Sequence, residues 1–176
     1  MLYCLIDTAI GTFGLGWTEA GVCRVALPGD DATDAEARML RLGGVADEPQ
    51  RDMAELEERI VAYAAGESDA FADVRLDLAG ISEFNRRCYD DIRQLGWGET
   101  TTYGAIARRL GDVGLSRAVG AAMGANPIPL IIPCHRVLAA DGRTGGFSAP
   151  GGVTSKMRML TLERAATPDG QFSLGF

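Results

Sequence analysis

Ile128-Pro-Leu-Ile-Ile-Pro-Cys-His-Arg-Val137 is the stretch on which the reading of this chain turns. Four apolar residues, Ile128, Leu130, Ile131 and Ile132, lie among prolines, which have no N–H to give to a ladder. The run is expected to form one short buried strand stopped at Pro133. Directly after the stop stand a thiol, the chain's single histidine and an arginine. Buried strands ordinarily end in turn residues, so three functional side chains at the rim point to a reactive centre held by a rigid element.

A cysteine attacks only as thiolate, so its proton must be taken or its pKa lowered. His135 is the one imidazole available. Neighbours on an extended chain face opposite ways, so a water relay from Cys134 to His135 is expected unless the backbone turns sharply there. A protease-like pair differs, because its imidazole bonds the thiol directly. The other ring nitrogen then needs an acceptor to set the tautomer. Glu163 ends the helical run Met157, Met159, Leu160, Leu162 and can be that acceptor; it can equally be a surface glutamate near a helix end.

Composition sets the frame. With 176 residues, 47% hydrophobic and 23% charged, the chain suits one large domain or two small ones with a sizeable core. It has no basic leader, and no apolar run nears the roughly 18–20 residues that cross a bilayer, so an unexported, cytoplasmic protein without a membrane partner is expected. Cys4, Cys23, Cys88 and Cys134 form no C-x-x-C pair, which fits a reducing compartment with the first three as buried structural thiols. One histidine excludes a two-His metal site, and a four-Cys zinc site would consume Cys134, so neither metal nor cofactor is expected. The net charge of −7 is uneven: residues 1–80 hold 6 basic and 16 acidic side chains, residues 81–176 hold 11 and 8. Only the second half is suited to face phosphates.

Along the chain, residues 1–27 alternate short apolar runs with glycines, which predicts two or three antiparallel strands. Helical spacing predicts helices over 33–42 and 51–65, and alternation predicts a half-exposed strand over 71–78. Ala79-Gly80 marks a domain boundary. Nothing in residues 1–80 reads as catalytic; Glu55, Glu57, Glu58 and Glu67 read as a solvated helix face. Beyond the boundary, Ser82 is placed to cap a helix over 82–95. Helices over 103–110 and 117–125, joined by a glycine-containing turn and capped at Ser116, make a helix-turn-helix pattern. The second of them is nearly all Ala and Gly, with Val119 and Met123 turned inward and Arg117 the one long side chain outside. Each interior glycine costs about 1 kcal/mol against alanine. Close approach to a groove or close helix packing would justify it, and both stay open.

Asn126-Pro-Ile-Pro-Leu-Ile-Ile-Pro-Cys-His-Arg-Val137 resembles the active-site signature of the O6-alkylguanine-DNA alkyltransferases, also called methylated-DNA–protein-cysteine methyltransferases. Gly98-Glu-Thr-Thr-Thr-Tyr-Gly104, Ser116-Arg-Ala-Val-Gly120, Gly145-Gly-Phe147 and the segment 156–163 follow the family's pattern in order. The resemblance implies an α+β two-domain chain. Residues 1–80 would be a ribonuclease-H-like α/β scaffold, and residues 81–176 a mainly helical, winged helix-turn-helix DNA-binding domain carrying the cysteine. It implies repair of duplex DNA by a monomer that moves the O6-alkyl group of a flipped guanine to Cys134, once and irreversibly. In those terms His135 is the base acting through water, Glu163 orients it, and Asn126 braces the turn before the cysteine. Tyr103 turns the phosphate backbone and helps protonate the leaving guanine, and Arg117 fills the vacated stack. Ala118, Ala121 and Arg136 would also meet DNA, while Val137, Phe147 and Ser148 would line the guanine pocket.

The segment between Phe147 and Lys156 is longer than the family's common form, the histidines that bind an N-terminal zinc in some members are missing, and the first half is unusually acidic. Two other functions fit the same residues. One is recognition of alkylated DNA without chemistry, which needs a silent Cys134. The other is a thiol-dependent enzyme acting on small alkylated molecules, which would turn over without DNA.

Overall fold

The computed structural model describes residues 1–29, 33–140, 147–148 and 151–165. Strands β1 (Leu2–Thr8), β2 (Gly11–Thr18) and β3 (Gly21–Ala26) form an antiparallel meander, as the glycine punctuation predicts. Gly21 must be glycine. Its φ is +140°, and a Cβ there would lie 2.5 Å from the Arg75 carbonyl oxygen. Helix α1 (Thr33–Arg41) follows, then a two-residue strand β4 (Val45–Ala46), unforeseen in the sequence, which adds parallel to β1 and completes the sheet order β3-β2-β1-β4. Helix α2 (Asp52–Ala64) buries Leu56, Ile60, Tyr63 and Ala64.

The strand expected over 71–78 does not form. Phe71 has a left-handed φ of +51°, and pairing is limited to one bridge between Val22 and Leu76, with Val22 N–H donating to Arg75 and Asp77 N–H donating to Val22. Arg93 instead collects carbonyls of this segment, donating to Ala72 and Val74 at 2.9 Å each. The alternation therefore marks an extended edge segment tied down by an arginine.

Helix α3 (Glu83–Ile92) is capped by Ser82, whose hydroxyl accepts from Asn85 N–H at 3.2 Å. A short strand β5 (Thr101–Thr102) leads into α4 (Tyr103–Arg109), with the Thr102 hydroxyl accepting from Ala105 N–H. A 3-10 turn (Val113–Leu115) joins it to α5 (Ser116–Gly124). Ser116 is not the cap that its position suggests. Its hydroxyl donates back to Val113, and the α5 N-cap is Leu115, with no side-chain bond. Both helices are fixed to α3: Arg109 grips Asp91 through two bonds of 2.8 and 2.6 Å, and the buried Tyr89 hydroxyl donates to Ala122.

The deciding stretch is buried but is not a strand. Residues 128–132 close on themselves: Ile132 N–H donates to Ile128 at 2.9 Å, and Leu130 takes φ +80°. Prolines at 127, 129 and 133 remove donors along the run, so the chain satisfies its polar groups in a compact turn rather than a ladder. Cys134–Arg136 is then a 3-10 turn, and strand β6 (Val137–Leu138) follows, parallel to β5. The rigid element thus comes after the cysteine. Helix α6 (Gly152–Leu162) completes the described chain.

One hydrophobic cluster runs through both halves, from Ile6, Leu15, Ile60 and Tyr63 to Tyr89, Ile106, Val119 and Ile132. Each such buried side chain contributes roughly 1.5–3 kcal/mol. The sheet also holds the reactive stretch directly, because Val25 N–H of β3 donates to the Pro127 carbonyl at 3.1 Å. Among the described residues no helix is long and apolar enough to cross a membrane.

Candidate active site

Asn126 builds the entrance to the site. Its side-chain oxygen accepts from Ile128 N–H at 3.0 Å and its amide donates to the Ile132 carbonyl at 2.8 Å, clamping both ends of the turn that delivers Cys134. In the 3-10 turn successive side chains are spread by about 120°. Cys134 therefore stays at a cavity wall while His135 and Arg136 turn into the interior, with 0% and 1% exposure.

Both meet Glu163, the C-cap of α6, itself 1% exposed. His135 Nε2 lies 2.7 Å from Oε1, and Arg136 spans the carboxylate with Nε 2.8 Å from Oε2 and Nη2 3.0 Å from Oε1. Gly98 N–H lies 3.3 Å from Oε2. Gly98 must be glycine for this approach: its φ is +72°, and a Cβ would lie 2.8 Å from the Glu163 carbonyl oxygen. Tyr63, from the first half, donates its hydroxyl to Oε1 at 2.8 Å. The expectation that residues 1–80 are only scaffold is corrected by that bond. Arg136 is corrected too: buried, and donating also to the Leu95 carbonyl at 2.7 Å, it is no surface contact for DNA.

The electrostatics assign the protons. Burial works to raise the Glu163 carboxyl, but the His135 and Arg136 bonds outweigh it and hold it at about 2. A carboxylate only accepts, so His135 Nε2 carries the hydrogen. Burial lowers the His135 pKa against the pull of Glu163, which favours the neutral ring. Its Nδ1 is then a bare lone pair, buried and without a hydrogen-bond partner among the described residues. Burial raises the Cys134 thiol, opposed by the Asn126 side chain and the charge of Lys156.

Lys156 is a site residue that spacing did not single out. It is fully buried, donates Nζ to the Val137 carbonyl at 2.5 Å, and sits 6.0 and 5.9 Å from the ring centroids of Tyr103 and Phe147. Burial brings its pKa to about 8. The signal was present in the motif segment 156–163, as a lysine on a mostly apolar helix.

Two cavities meet at Cys134. One, of about 490 Å³, is bounded by Tyr103, Gly120, Met123, Phe147 and Ser148; Ser148 donates to the Gly124 carbonyl at 2.9 Å. The other, of about 320 Å³, runs under β3 and α1. Val137, expected to line the pocket, is buried and lines neither cavity; its carbonyl accepts from Lys156. Arg117 and Ala121 are exposed on α5 and Ala118 is half-buried, so the smooth outer face exists as read. Gly145, Gly146 and part of the long segment before Lys156 lie outside the described residues. Among the described residues no three His, Cys, Asp or Glu side chains are grouped to hold a metal.

Residues 83–165 match the family described as 6-O-methylguanine DNA methyltransferase, DNA binding domain. A crystal structure of Mycobacterium tuberculosis OGT in complex with DNA superposes with a TM-score of 0.76 at 32% identity, covering 93% of both chains. The chain belongs to the 6-O-methylguanine DNA methyltransferase family. The methylated-DNA–protein-cysteine methyltransferase of Mycolicibacterium paratuberculosis is 46% identical over 111 residues, which are 63% of this chain and 65% of that protein. A Thermus thermophilus protein named as a DNA base-flipping protein is 46% identical over 109 residues, 61% of this chain and 71% of its own. The alkyltransferase fold of a mixed sheet with helices is therefore common to this chain and the mycobacterial methyltransferase.

Proposed function

We propose that the protein repairs O6-alkylguanine in duplex DNA by moving the alkyl group irreversibly to Cys134, one group per molecule. The observation that carries this reading is the buried Cys134, His135, Glu163 arrangement, in which the carboxylate fixes Nε2–H and leaves Nδ1 free to accept a proton. Residues 1–80 act as a ribonuclease-H-like domain and 81–176 as a winged helix-turn-helix domain, working as a monomer in the cytoplasm. The outer face of α5 enters the groove, and the damaged guanine leaves the stack at a cost of a few kcal/mol, with Arg117 filling the gap. The guanine takes the cavity bounded by Tyr103, Phe147 and Ser148. The thiol proton passes through a bridging water to His135 Nδ1, the sulfur bonds the alkyl carbon, and the C–O6 bond breaks with its pair on the guanine. Tyr103 and the neighbouring Lys156 supply the proton that the departing base needs. Asn126 lowers the thiol pKa by its bond.

The thioether has no route back to a thiol in this site, so product should stop at one equivalent. An oligonucleotide carrying one labelled O6-methyl group should lose label up to the molar amount of protein and no further. Continued loss beyond one equivalent would contradict the reading, as would label uptake by Cys134→Ala. The name of the Thermus relative favours a second reading, flipping without transfer. In that case lesion DNA binds and no label moves.

A further inference from the structure

The smaller cavity at Cys134 has an unusual lining. To it β3 and α1 contribute Arg24, Arg38 and Arg41, and no carboxylate lines it among the described residues. Arg24 and Arg41 form no hydrogen bond or ion pair among the described residues. Arg38 is held in place, with Nε donating to Asp34 and Nη1 to the Leu27 carbonyl, both at 3.0 Å. Yet its Nη2 is buried without a hydrogen-bond partner, and its nearest carboxylate, on the half-exposed Asp34, is 3.9 Å away. Burial lowers Arg38, and the Arg41 charge adds to that against Asp34. Three like charges around one cavity in an otherwise strongly acidic half, with a buried donor left open, make a place that a negative group would neutralise. Met123, Gly124, Cys134, Phe147 and Ser148 are shared with the site that the guanine would occupy.

We infer that this cavity takes the outer end of the transferred group, and that Arg24, Arg38 and Arg41 select O6-alkyl groups ending in an anion, such as carboxymethyl. This rests on the alkyl-transfer reading. The step balances as for any alkyl group: Cys134 Sγ bonds the methylene carbon, the C–O6 bond breaks with its electron pair on the guanine, and the guanine takes up one proton. The thiol proton goes to His135. The carboxylate is a spectator and remains on the protein as S-carboxymethylcysteine facing the arginines.

The test compares single-turnover rates on duplexes carrying O6-carboxymethylguanine, its neutral isostere O6-carboxamidomethylguanine, and O6-methylguanine. A partly exposed ion pair is worth up to about fivefold, so the carboxymethyl lesion should react about fivefold faster than the carboxamide. That ratio should fall in Arg24→Gln/Arg41→Gln, which leaves only Arg38 of the three, and persist in Arg24→Lys/Arg41→Lys, which keeps the charge. Transfer from the methyl lesion with no carboxymethyl preference overturns this inference and leaves the alkyl-transfer reading standing. A preference undiminished in the Gln variant also overturns it. If instead the Gln variant slows all three duplexes alike while the ratio stays at one, the arginines hold a DNA phosphate, and the inference fails. No transfer from any lesion overturns the alkyl-transfer reading and this inference with it.

Discussion

At the level of single residues the site depends on buried charges of both signs, Glu163 against His135 and Arg136, and Lys156 acting on Cys134. Lys156, at about 8, is protonated at neutral pH and favours the thiolate; above that it loses its charge and the thiol becomes harder to ionise. The rate of alkyl transfer should therefore fall as pH rises past about 8. Lys156→Met should be slower at neutral pH and lack that descending limb; a limb that persists would assign it to another group. Stability moves the other way, because the unfolded lysine binds its proton up to a higher pH than the folded one, so stability is gained as pH climbs above the folded value. Glu163 is held low, so its contribution is present above the ordinary carboxyl range and lost as pH falls towards about 2. Removing its charge strands Arg136, and breaking a buried pair in this way costs roughly 3–5 kcal/mol. Tyr63→Phe removes one bond to an ionised group and should cost roughly 1.5–3 kcal/mol. Denaturant midpoints at unchanged slope check both, and a Glu163→Gln variant as stable as the parent would contradict the buried network.

At the level of elements, α5 is where the proposed DNA contact can be separated from chemistry. Arg117 is exposed on a face of small residues and lies outside the Cys134, His135, Glu163 network. Arg117→Ala should react with free O6-benzylguanine at the normal rate but repair the lesion in duplex at least about tenfold more slowly, which is about 1.4 kcal/mol. Equal losses on both substrates would place Arg117 in the pocket or the fold. The same elements show what the sequence could disclose. Glycine-bounded alternation located β1 to β3, and helical spacing located α1 to α5 to within a few residues, because those signals are local. Residues 128–132 misled because a short apolar run is equally compatible with a strand and with a buried turn. Arg136 misled because sequence adjacency to the thiol says nothing about a 3-10 turn that swings it inward. Tyr63 was illegible, since its partner is 100 residues away.

For the whole molecule, the second half carries Cys134, His135 and Glu163, and the first half bonds Glu163 through Tyr63 and closes one cavity, while carrying most of the negative charge. Few basic side chains are available to replace counterions, so the slope of log binding constant against log salt should be shallower than about −6. A steeper slope, from a titration of duplex binding between low and physiological salt, would show more phosphate contacts than this charge distribution provides. The central claim, that Cys134 is the irreversible alkyl acceptor, is tested most directly by the intact mass of the protein after exposure to duplex DNA containing O6-methylguanine, followed by peptide mapping. The account predicts one added methyl per molecule, on Cys134 alone and never on Cys4, Cys23 or Cys88. An unchanged mass with lesion DNA bound, or a methyl on any other residue, would contradict it.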